Sequence, residues 1–146
     1  MNDTQVLSPW QIQAARLDLV YSFTVPLQTP SNNEIKEMHW LEYKRVRAKF
    51  RNHVWAGLGG RRPSQPLSRS FIHVRRHCSG QLDWDNAYGG LKPLLDTLVA
   101  SSPRNPDGLG LVTDDNPRTM PFPPFVEQIP APAGKGKTEV FVYSLH

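Results

Sequence analysis

Proline placement constrains this chain more than any other feature. Of its 14 prolines, six fall between Pro117 and Pro132, so that stretch is extended and poorly helical. Pro26 and Pro30 close an earlier segment, Leu17 to Val25 (LDLVYSFTV), whose β-branched and aromatic residues read as a strand. The turn chemistry of Thr29-Pro30-Ser31-Asn32-Asn33 then supplies Ser31, Asn32 or Asn33 as a helix cap. One helix is predicted from Glu34 to about Trp55, with Ile35, Met38, Val46, Phe50 and Val54 as its apolar stripe and Gly57, Gly59 and Gly60 ending it. Leu67 to Cys78 reads as a second strand, with Ile72, Val74 and Arg76 on one face and Phe71, His73 and Arg75 on the other. A second helix carries Leu91, Leu94, Leu95, Leu98 and Val99 inward. Pro93 makes it either start late, near Lys92, or kink. Thr138 to Leu145 alternates as a final strand, and a further strand is expected near Phe125–Ile129.

The order is therefore a small α/β (α+β) domain, a mixed sheet packed by two main helices, over residues 17–146, with residues 1–16 an N-terminal extension. A hydrophobic fraction of 38% with four Trp, four Tyr and six Phe suits a packed core. No run approaches about 20 apolar residues, so no membrane-spanning helix is expected. Asp3, Arg16 and Asp18 lie where the apolar core of a secretory leader would be, and the single Cys78 fits a reducing cytoplasm.

Charge is unevenly distributed. The net +4 divides into +7 for residues 1–78 and −3 for residues 79–146. Lys36 to Arg76 alone holds 11 basic residues against Glu37 and Glu42, a block suited either to a polyanion or to an ordinary solvated face. Its candidates for contact with nucleic acid are Lys36, Lys44, Arg45, Arg47, Arg51, Arg61, Arg62, Arg69, Arg75 and Arg76.

Several motifs fail on spacing. Gly136-Lys137-Thr138 resembles the end of a phosphate loop, but Ala131 stands where its first glycine belongs and a strand follows, so no nucleotide cofactor is expected. Asp83-x-Asp85 cannot open a calcium loop, because Tyr88 and Leu94 occupy the glycine and glutamate positions. His73, His77 and Cys78 lack a fourth zinc ligand. What survives is acidic: Asp83 and Asp85, with the pair Asp114-Asp115. If Leu82–Asp85 is extended, Asp83 and Asp85 project to one side and would repel without a hard cation such as Mg2+. The same residues serve equally well as a helix cap and a turn, and spacing alone leaves both roles open.

Four segments in order resemble one family. They are Pro30-Ser31-Asn32-Asn33, Leu82-Asp83-Trp84-Asp85-Asn86, the stretch Gly89-Gly90-Leu91-Lys92-Pro93-Leu94-Leu95-Asp96-Thr97-Leu98, and Gly110-Leu111-Val112-Thr113-Asp114-Asp115. Together, over about residues 18–118, they resemble the RusA-like Holliday junction resolvases, small homodimeric endonucleases of phages and prophages. The resemblance implies Mg2+, with Mn2+ as the alternative ion, held by Asp83, Asp85 and Asp115, with Asp114 a lesser neighbour and Lys92 a catalytic cation. Asn32, Asn33 and Asn86 take supporting places. It implies branched DNA as substrate, a homodimer, and a bacterial cytoplasm as the setting. The segment between Asn86 and Lys92 is three residues longer than in the founding type, and the loop Ser101–Gly108 is also long. These departures leave two rivals: a nucleic-acid-binding module without catalysis, and an inactive phage protein that retains the fold.

Overall fold

A computed structural model describes residues 16–146. Apart from Arg16, the expected N-terminal extension lies outside the described residues. Four strands and four helices follow in the order β1 (Leu17–Val25), α1 (Asn32–Glu37), α2 (Trp40–Gly57), β2 (Ser70–Cys78), α3 (Trp84–Gly89), α4 (Lys92–Leu98), β3 (Phe125–Pro130) and β4 (Lys137–Leu145). They form the α+β domain that the sequence predicts, around one mixed sheet of order β1-β4-β2-β3.

The last strand is central. β4 pairs antiparallel with both β1 and β2, while β3 runs parallel to β2. Alternation explains why β4 can take this place: Thr138, Val140, Val142 and Leu145 are buried and the residues between them are not. Ile72, Val74 and Val126 join Val140 and Val142 in the core, against Phe50 and Val54 of α2 and Leu91, Leu94 and Leu98. β1 lies at a sheet edge, and only Phe23 and Val25 are buried along it.

The predicted single helix from Glu34 to Trp55 is two helices. Met38 turns to an extended ψ of 134°, and His39 restarts the chain as an N-cap whose Nδ1 accepts from the Leu41 amide at 3.2 Å. Ser31 caps α1 through a reciprocal pair: its Oγ accepts from the Glu34 amide, and Glu34 Oε1 accepts from the Ser31 amide. α2 ends where expected, with Gly59 and Gly60 at φ 69° and 72°. The strand predicted from Leu67 begins at Ser70; Leu67 instead bridges Val112. Pro93 stands in the first turn of α4, where its missing N–H leaves no helical hydrogen bond unmade, so the late start near Lys92 is correct and a separate short helix precedes it.

A parallel neighbour requires a long crossover. The connection from β2 to β3 contains α3, α4 and residues 99–124, and it carries every acidic residue singled out from the sequence.

Candidate active site

Leu98 closes α4, and the apolar run that follows folds back on it. Leu109 N donates to Thr97 O, Gly110 N to Val99 O, and both Leu111 N and Val112 N to Leu98 O, at 2.8–3.0 Å. Leu67 N donates to Leu111 O, and Thr113 N to Leu67 O. Leu109, Leu111 and Val112 are fully buried, and Gly110 turns with φ 75° between them. This staple delivers Asp114 and Asp115 to the mouth of an open cleft of about 410 Å³, lined among others by Lys92, Asp96, Asn105, Asp114 and Asp115.

Asp96 is the hub of that cleft. Its Oδ2 accepts from the Tyr43 hydroxyl at 2.6 Å, Lys92 Nζ lies 3.5 Å from its Oδ1, and Arg47 Nη1 lies 3.8 Å from its Oδ2. Arg47 Nε also donates to Asp107 at 2.8 Å, and Asn105 Nδ2 donates to the Asp96 carbonyl at 2.7 Å. Lys92 Nζ stands 5.9 Å from the Tyr43 ring centre. Burial, followed by the hydrogen bond and charge of Asp96, raises the Tyr43 pKa far above the ordinary phenol value, so its hydroxyl remains a donor. Asp115 is also raised, first by partial burial, then by hydrogen bonding and repulsion from Asp114, with Asp96 adding repulsion. Asp114 Oδ1 accepts from the Asp115 amide and its Oδ2 from Asn116 Nδ2, which fixes the turn.

Asp83 and Asp85 are differently placed. Leu82–Asp85 is not extended. Asp83 is the N-cap of α3, its Oδ1 accepting from the Asn86 amide at 3.0 Å and from Asn86 Nδ2 at 3.1 Å, while Asp85 lies in the first helical turn. The expected common projection is therefore absent, because i and i+2 on a helix do not face one another. Neither lines the cleft of Lys92 and Asp115. Among the described residues, no group of three or more His, Cys, Asp or Glu side chains stands close enough to hold one metal ion. The supporting asparagines do meet α3: Asn86 Oδ1 accepts from the Asn33 amide at 2.9 Å, and Gly89 packs directly on the Asn32 side chain.

Two of the ten basic candidates are structural. Arg47 is 6% exposed and belongs to the Asp96–Asp107 cluster. Arg76 is 2% exposed, and its Nε donates to Thr29 O and Oγ1 at 3.0 and 3.1 Å, just before the Pro30 turn. Arg75 is half-buried between Glu127 and Glu139. Lys36, Lys44, Arg45, Arg61, Arg62 and Arg69 are exposed, and Arg51 is half-buried with its guanidinium 5.8 Å from the Trp55 ring centre. His73 and His77 pair with Glu127 and Glu139 at 2.5 and 2.6 Å, which draws the Glu139 pKa down.

Asp96 stands in the Gly89–Leu98 stretch of the resemblance without a role assigned to it, and no motif points to Tyr43 or Asp107. The available signal was the i, i+4 spacing of Lys92 and Asp96 at the start of an apolar helix. Among the described residues no helix is long and apolar enough to cross a membrane. No protein-family model matches this sequence, and no curated protein matches it significantly.

Proposed function

We propose that the chain is a divalent-metal-dependent endonuclease of the RusA-like resolvase type, acting on branched DNA. The observation that carries this reading is the meeting of Lys92 with Asp114 and Asp115 in one cleft, from segments whose order in the sequence resembles that of the family. Partial burial first, and then the neighbouring Asp114 and Asp96, raise the proton affinity of Asp115, and a hard cation relieves the repulsive part of that cost, so carboxylate donors suit Mg2+ here. Asp114 and Asp115 would hold the ion; Asp83 and Asp85, the other ligands that the resemblance implies, stand outside this cleft and are not needed for it. When bound, the ion would supply Lewis-acid polarisation of the scissile phosphate and activation of water.

The remaining work falls to the chain's own groups. Lys92 places a compact positive charge where the phosphate gains charge, and its exposed ammonium is steered by Asp96 and the Tyr43 ring. Tyr43 and Arg47 hold Asp96 in place. Lys36, Lys44, Arg45, Arg51, Arg61, Arg62 and Arg69 bind backbone phosphates, which gives a salt-dependent and sequence-independent affinity. A homodimer presenting two such sites, in the cytoplasm of a bacterial host of the encoding phage or prophage, belongs to the same reading.

The test is incubation of the protein with a labelled four-way junction and a matched linear duplex, in Mg2+ or EDTA at fixed salt. Paired Mg2+-dependent nicks in the junction alone are expected. Tight binding without cleavage in Mg2+ or Mn2+ would replace the enzyme with a binding module, whose aspartates are caps and turns, or with a decayed relative.

A further inference from the structure

At the start of α2 the chain leaves a large aromatic side chain in solvent. Trp40 is 59% exposed and its neighbour Leu41 is 46% exposed. Lys44, one turn on, holds its ammonium 4.5 Å from the centre of the Trp40 ring, and His39 lies 5.8 Å away at 35°. Tyr43, three residues after Trp40 and so on the same side of the helix, is hydrogen-bonded to Asp96 and stands beside Lys92. An exposed indole with a cation beside it therefore shares a helix side with the residue that holds Asp96 of the candidate cleft, and Lys36 and Arg45 add exposed positive charge nearby in the sequence.

We infer that Trp40 and Lys44 form a stacking contact for an unpaired nucleotide, with the indole taking the base and Lys44 the adjacent phosphate. This rests on the nuclease reading only for its biological setting; the chemistry needed is a π-face and a polyanion. Duplex DNA hides its base faces, whereas a branch point or single strand exposes them, and stacking on an aromatic ring is indifferent to sequence. Lys44 at the ring, together with Lys36 and Arg45, outnumbers Glu37 and Glu42 in the same exposed segment, which favours a nucleic acid over an apolar protein surface as the occupant. The consequence is discrimination: Trp40 raises affinity for DNA with unpaired bases over continuous duplex.

The experiment measures binding in EDTA at fixed salt, by anisotropy, of the full chain to a fluorescent single-stranded oligonucleotide, a fork with unpaired arms, and a blunt duplex. Trp40→Ala should weaken single-strand and fork binding about 5-fold or more, the scale of one stacked base, with less than a twofold change on duplex. Trp40→Phe should restore most of the loss, and Lys44→Ala should flatten the salt dependence on single strands by about 0.7 in slope, the loss of one phosphate contact. Equal losses on all three ligands, no loss, or no single-strand binding by the natural sequence would overturn the inference. So would a Trp40→Ala chain that loses self-association by sedimentation while its single-strand to duplex ratio is unchanged, because a second copy would then be what covers the ring. Failure of the nuclease reading shows separately, as the absence of Mg2+-dependent nicks in the natural sequence, and leaves these binding ratios intact.

Discussion

The two acidic groups of the crossover differ in what satisfies them. Asp83 is bonded to the helix that it starts, and Asp85 follows in an exposed first turn. Asp96, Asp114 and Asp115 converge from two segments, and the proton affinity of Asp115 is raised there, by partial burial first and by its acidic neighbours after it. Carboxylates two apart in sequence need not share a site, whereas ones far apart in sequence can be forced together by a buried staple such as Leu109–Val112. Asp83 has a structural role without a ligand as a helix cap; in the second group Asp96 is held by Arg47, Lys92 and Tyr43, and Asp114 by its own turn.

The largest expected effect comes from removing the cation that holds Asp96. Arg47→Ala leaves Asp96 and Asp107 without their buried cation and should cost about 3 kcal/mol of stability by urea denaturation. Lys44→Ala, on the exposed side of the same helix, should leave stability within about 0.5 kcal/mol. Equal effects would mean that the cluster is not under electrostatic load.

Next is activity. Asp115→Asn should reduce Mg2+-dependent junction nicking by about 100-fold or more, the scale of one lost electrostatic stabiliser, while junction binding in EDTA persists. Full activity would move the chemistry away from this cleft.

Much of this was legible in the sequence, and some of what was misread was legible too. The strands emerged because β4 and β2 alternate strictly enough that register and burial follow from parity. By that parity Arg76 shares a face with Ile72 and Val74, so its burial was implied although its charge suggested DNA. Arg47 likewise stands three and seven residues before Phe50 and Val54, on the apolar stripe itself. The break at Met38–His39 has no proline or glycine to announce it and rests on an uncommon histidine cap. The meeting of Asp96 with Asp114 and Asp115 depends on a long-range fold-back, which local spacing does not encode.

Packing under the first group gives the third prediction. A Cβ on Gly90 would collide with the Pro30 carbonyl oxygen, so Gly90→Ala must push α3 away from the Pro30 turn. It should lower stability by about 2 kcal/mol and disturb Asp83 and Asp85 more than Asp115. An unchanged melting temperature would show that α3 is loosely seated.

Asp83 itself separates capping from chemistry. Asp83→Ala should cost about 1 kcal/mol through the lost cap, and Asp83→Asn almost nothing, because asparagine caps equally well. If Asp83→Asn folds normally but loses nicking, its carboxylate has a chemical role beyond the cap; if it keeps full nicking, the cap is its whole contribution.

The smallest effect separates strained from satisfied carboxylates by the sign of their pH dependence, measured in EDTA. Asp115 has a folded pKa raised above its ordinary value of 3.8, so folding binds its proton more tightly and this group costs stability once pH rises through that window. Asp115→Asn should therefore raise the melting temperature slightly at pH 7, and the gain should vanish in acid, where the carboxyl is protonated in both states. Glu139 is the opposite case. His77, by hydrogen bonding, holds its pKa below the ordinary 4.5, so its stabilisation is present above that value and is lost as pH falls through the folded one. Glu139→Gln should lower the melting temperature at pH 7 and matter progressively less in acid. Two shifts of the same sign at pH 7 would mean that the Asp115 carboxylate is not strained in the folded protein, and that a carboxylate left short of a partner cannot be told here from one, such as Glu139, that has its own.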